Sequence, residues 1–295
     1  MPTTVRVGIA QLHAIPLDPL ANAVTTVAAI EAAVDDGASV VVLPELVASG
    51  YVPDRDALLP IAESLDRPGP CLAAWQTAAA SLGVTVIAGF AERDGNRLFN
   101  SAVTIDPSGQ VASLYRKLHL FGPEWTCFEP GDLGLPIVRV GGVSIGVLVC
   151  YDLRFPEVMR IMALSGAELI AVPTAWVAGF DKVVPADGRI GQVDGAIVQA
   201  NLNQVYVACA DQVGQTASHA FLGRSVAVTP FGEACVGPMS PTASEVSVFD
   251  VDTAEIPRAR HRGPGIDPFE NRRTDVYGEL LGYRAPAMAG PREQA

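Results

Sequence analysis

Short apolar runs, most of them rich in valine, recur along the 295-residue chain. Runs of this length bounded by glycine, proline and aspartate predict β-strands. The run at 39–43 shows no alternation of polar and apolar residues, which is typical of a strand buried on both faces. The predicted strands are 5–12, 39–43, 84–90, 98–105, 110–116, 137–140, 143–149, 169–172, 205–210, 221–229 and 246–251.

Helical periodicity fills four of the intervals between these strands. Apolar residues of segment 21–34 fall at helical spacing, and the segment runs into Asp36-Gly37, a typical helix end. Segment 156–164 begins with proline and glutamate, which are favourable in a first helical turn. The predicted helices are 21–34, 71–82, 156–164 and 189–203.

Tight turns link some neighbouring strands. Residues 106–109 (Asp-Pro-Ser-Gly) and the pair Gly141-Gly142 each predict an antiparallel hairpin. Alternation of strands and helices, interrupted by hairpins, predicts an α/β protein with one mixed sheet or two sheets between helices. The sequence shows no repeat of fixed period, and no linker-like stretch divides it. We therefore predict one domain over 1–281, followed at 282–295 by a tail or a subunit-contact arm.

Composition narrows the class of partner. Hydrophobic residues make up 49% and charged residues 18% of the chain, which excludes global disorder. The net charge of −12 disfavours nucleic acids and anionic membranes, and it suits a small-molecule ligand. The N-terminus lacks a secretory signal pattern, and the apolar runs are too short to cross a bilayer. We expect a cytoplasmic protein that binds neither nucleic acid nor membrane.

Cysteine and histidine spacing points away from metals and disulfides. The five cysteines are scattered, an odd number without Cys-x-x-Cys spacing, and the four histidines form no ligand motif. The chain also lacks a phosphate-binding glycine loop. We therefore expect no metal and no cofactor. The cysteines are Cys71, Cys127, Cys150, Cys209 and Cys235.

Cys150 is the strongest single candidate for chemistry. It ends an apolar strand and precedes Tyr-Asp-Leu-Arg-Phe-Pro-Glu, so a strand leads through a sharp turn into a helix. A thiol at the carboxyl end of a strand lies where α/β proteins bind ligands, and nearby N–H groups can stabilise a thiolate or an oxyanion. The alternative is a structural cysteine in the core.

Three ionisable residues lie beside other predicted strands or in a loop. Glu45 follows a buried strand and a proline, where a carboxylate is either costly or used as a general base. Lys117 follows strand 110–116 and could donate to an oxyanion. Glu124, in an aromatic loop, could be a second carboxylate. Each has an ordinary alternative as a solvated loop or strand-end charge.

Together these segments resemble the nitrilase, or carbon–nitrogen hydrolase, superfamily. The resemblance runs from strand 5–12 through Leu-Pro-Glu45, Tyr-Arg-Lys117-Leu-His and Cys150-Tyr-Asp-Leu-Arg to Asn271-Arg-Arg. The order Glu, Lys, Glu, Cys is that of the family. The resemblance implies a four-layer αββα sandwich and a homodimer, or a larger even homo-oligomer, joined across a helical face.

The resemblance also implies roles for the residues. Glu45 would be the general base, and Cys150 would attack the substrate and form a thioester. Lys117 would hold the oxyanion with the backbone N–H of Tyr151, and Glu124 would orient the site. Lys117 is expected to favour the thiolate, and burial to raise the basicity of Glu45. Glu129 competes with Glu124 for the position of the second carboxylate.

The residues after the nucleophile favour one reaction. Typical nitrilases resemble Cys-Trp-Glu, whereas Cys150-Tyr-Asp is similar to the amide-hydrolysing branches. We therefore predict a thiol amidase that releases ammonia from a small linear amide. The alternative is an N-carbamoyl amino-acid or amine amidohydrolase. A nitrilase and a non-catalytic member of the family are less favoured.

Further residues bear on substrate choice. Arg154 matches a position that binds a substrate carboxylate in the omega-amidase and carbamoylase branches, and its alternative is a structural pair with Asp152 or Glu157. His119 matches a substrate-contacting position of the carbamoylase branch. Trp176, Phe180 and Trp125 are candidate pocket walls, with core or surface packing as the alternative. The segment 176–185 follows a strand and is placed to line the pocket mouth.

Overall fold

The computed structural model describes residues 3–180, 189–216 and 218–280. The chain divides into two compact units, Met1–Ala259 and Arg260–Ala295. The first unit holds every strand of the two sheets, and the second holds one helix at Thr274–Leu280. The predicted tail at 282–295 lies outside the described residues, so the domain boundary at 281 stays a prediction.

The first sheet has six strands. They are β1 (Thr4–Gln11), β2 (Val40–Val42), β3 (Thr85–Asp94), β4 (Arg97–Ile105), β5 (Val111–Arg116) and β12 (Glu245–Asp252). Their spatial order is β12-β1-β2-β3-β4-β5. The central strands β1, β2 and β3 run parallel, and the pairs toward both edges are antiparallel.

The second sheet repeats this design. Its strands are β6 (Ile137–Val140), β7 (Val143–Val147), β8 (Leu169–Pro173), β9 (Tyr206–Ala210), β10 (Val226–Val228) and β11 (Ala234–Val236). Their order is β11-β10-β9-β8-β7-β6, with β7, β8 and β9 parallel. Gly141 and Gly142 join β6 to β7 with φ values of 58° and 91°, which a tight hairpin turn requires. This predicted hairpin is confirmed.

Seven α-helices lie within the described residues. They are α1 (Pro19–Asp35), α2 (Arg55–Leu58), α3 (Pro70–Leu82), α4 (Pro156–Leu164), α5 (Gly191–Asn203), α6 (Glu255–Arg260) and α7 (Thr274–Leu280). Helices α1 and α3 pack on the first sheet, and α5, with α4 beside it, packs on the second. Strands β1, β2 and β3 contact β8 and β9 across the middle. The predicted four-layer αββα sandwich is therefore confirmed.

Burial on both faces explains the valine-rich strands. All three residues of β2 and all five of β8 are buried, because each sheet has helices on one side and the other sheet on the other. Within the described ranges, none of the helices is long and apolar enough to span a bilayer.

The region after β9 differs from the prediction. A strand was expected over 221–229, but only Val226–Val228 pair in the sheet. Gly223 and Arg224 have φ values of 60° and 66°, and this left-handed backbone ends any strand. Strand β11 is short and largely exposed, so it lacks the apolar pattern by which a strand is predicted.

Candidate active site

Strand ends deliver three of the candidate side chains. Glu45 follows β2 after Leu43-Pro44, Lys117 directly follows β5, and Cys150 follows β7 after two residues. Glu124 comes from a 3₁₀ turn at Gly122–Thr126. The fold brings all four together, and the thiol of Cys150 interacts electrostatically with the other three.

Lys117 bridges two carboxylates. Its Nζ donates to Glu45 Oε1 at 2.6 Å and to Glu124 Oε1 at 2.9 Å, and the three side chains are fully buried. We call Glu45, Lys117 and Glu124 the carboxylate–lysine cluster. A buried lysine flanked by two carboxylates keeps its charge, whereas removal of one member leaves an uncompensated charge.

Opposing effects set the pKa values of this cluster. Burial raises the pKa of Glu45, as does the nearby Glu124 carboxylate, although Lys117 acts in the opposite direction. Burial alone would lower the pKa of Lys117, but the two carboxylates outweigh it and raise that pKa. Glu45 therefore has the raised basicity that the sequence predicts, next to a lysine that stays protonated.

One carboxylate oxygen of Glu45 accepts hydrogen bonds, and the other has no hydrogen-bond partner among the described residues. Asn100 on β4 donates its Nδ2 to Glu45 Oε1 at 2.7 Å, and Gln212 Nε2 donates to the Glu45 backbone carbonyl at 2.7 Å. Among the described residues, Oε2 has no hydrogen-bond partner. A fixed carboxylate with one unengaged oxygen is suited to accept a proton.

Glu124, not Glu129, belongs to the cluster. Glu124 Oε1 also accepts the Tyr51 hydroxyl at 2.8 Å, and its Oε2 accepts the Phe121 backbone N–H at 3.0 Å, which caps the 3₁₀ turn. Glu129 instead bonds to Arg97 at 2.8 Å, and its side chain is half-exposed. The two acidic residues therefore occupy different environments.

Cys150 sits in a left-handed backbone conformation at the start of a 3₁₀ turn, Cys150–Arg154, with φ of 46°. Burial raises the pKa of its thiol, and the Glu45 carboxylate raises it further, whereas Lys117 and the backbone N–H of Ala175 act in the opposite direction. The net pKa is well above its usual value. Lys117 therefore favours the thiolate, as the sequence predicts, but burial and the Glu45 carboxylate outweigh its effect on the pKa of Cys150.

Asp152 anchors the turn that carries Cys150. Its Oδ2 accepts the Tyr115 hydroxyl at 2.7 Å and the Val149 backbone N–H at 3.1 Å. Its Oδ1 lies 2.7 Å from His119 Nδ1 and accepts the His119 backbone N–H at 3.0 Å. Asp152 is one of the two residues predicted as a structural partner of Arg154. Its carboxylate oxygens are bonded to Tyr115 and His119.

An open cleft leads to Cys150. It holds about 370 Å³ of empty space, part of it continuous with solvent. Aromatic side chains dominate its wall, with Arg154 and Gln192 as polar members. The described lining residues are Tyr51, Phe121, Cys150, Tyr151, Arg154, Ala175, Trp176, Val177, Phe180 and Gln192.

The remaining candidates divide between the cleft and other places. Trp176 and Phe180 line the cleft, and Arg154 lies 4.6 Å from the Phe180 ring centre. Trp125 is 61% exposed outside the described cleft wall, because its neighbour Glu124 takes the inward position of the 3₁₀ turn. His119 stacks on Phe155 at 3.6 Å and is not among the described lining residues. Of the segment 176–185, residues 181–185 lie outside the described ranges.

Sequence reasoning missed several contributors. Asn100 holds Glu45, Tyr51 holds Glu124, and Gln192 lines the cleft. Asn100 lies in the middle of a buried strand, and an amide there is a signal, because it needs a hydrogen-bond partner. Tyr51 and Gln192 carry no such signal in the sequence.

No group of three or more histidine, cysteine, aspartate or glutamate side chains in the described ranges is arranged to hold an ion. All five cysteines are free, and Cys150 and Cys235 are the two that are not buried.

A partly exposed cysteine lies beside a buried Glu–Lys–Glu cluster in a four-layer α/β sandwich. The chain belongs to the carbon–nitrogen hydrolase family, whose model matches residues 6–261. It is thus an amidase-like enzyme of the nitrilase superfamily.

Relatives and a solved structure agree with this family. A protein named nitrilase from Pyrococcus abyssi is 34% identical over 92% of this chain and 99% of its own length. An N-carbamoylputrescine amidase from Solanum lycopersicum is 31% identical over 90% of this chain and 91% of its own. The crystal structure of an amidase from Nesterenkonia sp. is similar with a TM-score of 0.78 and 27% identity, covering 94% of this chain and 96% of that one. A mutant of that amidase carries acrylamide added to its active-site cysteine.

Proposed function

We propose that this enzyme hydrolyses a small primary amide to a carboxylic acid and ammonia through a thioester on Cys150. The observation that carries the proposal is the bridging position of Lys117, 2.6 Å from Glu45 and 2.9 Å from Glu124, beside a cysteine that lines an open cleft. This arrangement combines a base, a cation and a nucleophile at one point.

In the first half-reaction, Cys150 Sγ attacks the amide carbon while Glu45 takes the thiol proton. The raised pKa of the thiol requires this transfer, because a resting thiol is a weak nucleophile. Lys117 Nζ and the backbone N–H of Tyr151 donate to the oxyanion of the tetrahedral intermediate. Glu45 then returns the proton to nitrogen, the C–N bond breaks, and ammonia leaves a thioester behind.

In the second half-reaction, water attacks the thioester carbon and Glu45 takes one of its protons. The C–S bond breaks, the proton passes to sulfur, and the carboxylic acid leaves. Glu124 accepts a hydrogen bond from the Lys117 ammonium, which it shares with Glu45. The Tyr51 hydroxyl holds the Glu124 carboxylate in place, so Glu124 acts as a positioning residue. The sum of the two steps consumes one water for each amide.

The cleft wall suggests what the acyl part carries. Arg154 is the cation of the described wall, and a guanidinium binds a carboxylate through two parallel hydrogen bonds. The aromatic side chains around it suit a short aliphatic chain. We propose an amide with a carboxylate at its far end as the preferred substrate.

The second candidate is hydrolysis of an N-carbamoyl amine or amino acid. The name of the Solanum relative favours it, since that protein is called an N-carbamoylputrescine amidase. The same residues would act on the carbamoyl carbon. The products would then be the amine, carbon dioxide and ammonia, so carbon dioxide distinguishes the two reactions.

Ammonia release from four compound classes tests the proposal. The panel is simple aliphatic amides, the same amides with a terminal carboxylate, N-carbamoyl amines and nitriles. We expect ammonia from the carboxylate-bearing amides, none with Cys150→Ala, and a preference for the carboxylate that Arg154→Met lowers at least about tenfold. Carbon dioxide release confined to carbamoyl compounds would favour the second candidate, and turnover of nitriles alone would contradict both.

A further inference from the structure

Helix α5 presents a row of buried amides to the protein interior. Gln192, Gln199 and Asn203 lie on one helix face, and all three are buried. Gln199 Nε2 donates to the Leu153 carbonyl at 3.4 Å, and Asn203 Nδ2 donates to Gln199 Oε1 at 3.0 Å. Two of the three amides therefore have partners inside the protein.

Gln192, the first of the row, differs from the other two because it reaches the cleft. Its side chain lines the cleft together with Cys150 and Arg154, yet the residue is only 6% exposed. Its buried Oε1 accepts no hydrogen bond from any residue of the described ranges. A buried carbonyl oxygen without a donor is unfavourable, so a ligand that brings a donor to this oxygen is selected over one that does not.

We infer that Gln192 is a specificity-determining residue that selects amides whose acyl part carries an amine. Its Oε1 would accept a hydrogen bond from the amine N–H while the scissile amide lies at Cys150. This inference deepens the proposed function and rests on it. It adds a second recognised group to the carboxylate assigned to Arg154.

The positive charge of Arg154 restricts which amine-bearing substrates fit the cleft. An ammonium alone would be repelled by Arg154 on the same wall. An ammonium next to a carboxylate is neutral as a pair, so the carboxylate can face Arg154 while the N–H groups face Gln192. The side-chain amide of an α-amino acid has this combination of groups.

A matched pair of probes isolates the Gln192 contact. Glutamine and glutaramate differ only by the α-ammonium group, and both enantiomers of glutamine are used. We expect kcat/KM for the better enantiomer to exceed that for glutaramate at least about tenfold. Gln192→Met should lower this ratio at least about tenfold, whereas Gln192→Glu should keep it, because a carboxylate also accepts from an ammonium.

Controls separate recognition from folding. Gln199→Met removes a buried amide from the same helix face, away from the described cleft wall, so it should leave the glutamine-to-glutaramate ratio unchanged. A ratio that stays constant in Gln192→Met, or a wild-type preference for glutaramate, would overturn the inference while leaving the proposed function in place.

Binding to the inactive protein distinguishes the two proposals. Titration calorimetry with Cys150→Ala, with and without Gln192→Met, measures affinity for both probes without turnover. Tighter binding of glutamine that depends on Gln192, without ammonia release by the wild type, would support recognition by Gln192 and contradict the proposed hydrolysis. Equal affinities for the two probes would overturn the inference.

Discussion

Gly89 on β3 lies in direct backbone contact with Glu45. A β-carbon at position 89 would lie 2.6 Å from the Glu45 Cα atom and equally close to Leu46 N and Pro44 O. Because these are backbone atoms, no side-chain rotation can relieve the contact. We expect Gly89→Ala to destabilise the fold by about 1–3 kcal/mol and to displace Glu45, which lowers kcat. Urea unfolding and ammonia release measure the two effects.

Gly195 supplies the matched control for this substitution. It lies inside helix α5, and an added β-carbon there would have nothing within 4 Å among the described residues. Gly195→Ala should stabilise the protein by about 0.5–1 kcal/mol, because alanine loses less backbone entropy in a helix. Equal unfolding free energies for the two variants would contradict the close-contact explanation.

Cys150→Ala should abolish turnover while the fold persists. Without the thiol no thioester forms, and we expect kcat to fall by about 10³-fold or more. Far-ultraviolet circular dichroism should match that of the wild type. Cys235→Ala, at the exposed cysteine of strand β11, should keep full activity. Retained turnover in Cys150→Ala would rule out this nucleophile.

The thiol of the free enzyme should react slowly at neutral pH. Burial and the Glu45 carboxylate raise the pKa of Cys150 well above its usual value of 9.0, so the proton is lost only as pH rises past that value. Alkylation of Cys150 by iodoacetamide, followed by mass spectrometry, should therefore have its midpoint above pH 9. A midpoint near pH 7 would mean that Lys117 dominates and that a thiolate is present at rest.

Glu124 and Glu129 should respond differently to the same change. Glu124→Gln removes a charge that holds Lys117 and should lower kcat by about 10-fold or more. Glu129→Gln weakens only a half-exposed pair with Arg97, so kcat should stay within about twofold. If Glu129→Gln proved the more damaging of the two, the second carboxylate of the site would have to be reassigned.

Lys117→Met should destabilise the protein more than a surface substitution does. It leaves two buried carboxylates without their cation, which typically costs about 3–5 kcal/mol. The loss should shrink at acidic pH, because protonation removes the unpaired charges. Urea unfolding at pH 5 and pH 8 measures this difference, and an equal loss at both values would contradict the electrostatic explanation.

Much of the fold follows from apolar patterning. The valine run at 39–43 predicted a strand buried on both faces, and β2 occupies the centre of a covered sheet. The Gly141-Gly142 turn gave the β6–β7 register. The prediction of a strand over 221–229 is wrong for its first part, because the backbone is left-handed at Gly223 and Arg224. A pattern of apolar residues does not indicate such a backbone conformation.

Site geometry was less accessible from the sequence. The positions of Glu45, Lys117 and Cys150 at the ends of predicted strands indicated that these residues belong to one site. They did not indicate that the Lys117 nitrogen bridges the Glu45 and Glu124 carboxylates. The bond between His119 and Asp152 was not predicted either, and the contact of His119 with substrate stays a prediction. Such outcomes depend on side-chain direction at loop positions, where neither the 3.6-residue nor the two-residue period applies.

The left-handed backbone of Cys150 sets a trade-off between stability and activity. A residue with a β-carbon at φ of 46° carries a conformational cost of roughly 1–2 kcal/mol, which glycine would avoid. Selection for thermal stability alone would therefore favour glycine at position 150 and lose the thiol. If Cys150 is the proposed nucleophile, engineering for higher stability has to leave this position unchanged and use substitutions elsewhere, because the strained residue is the one that carries the thiol.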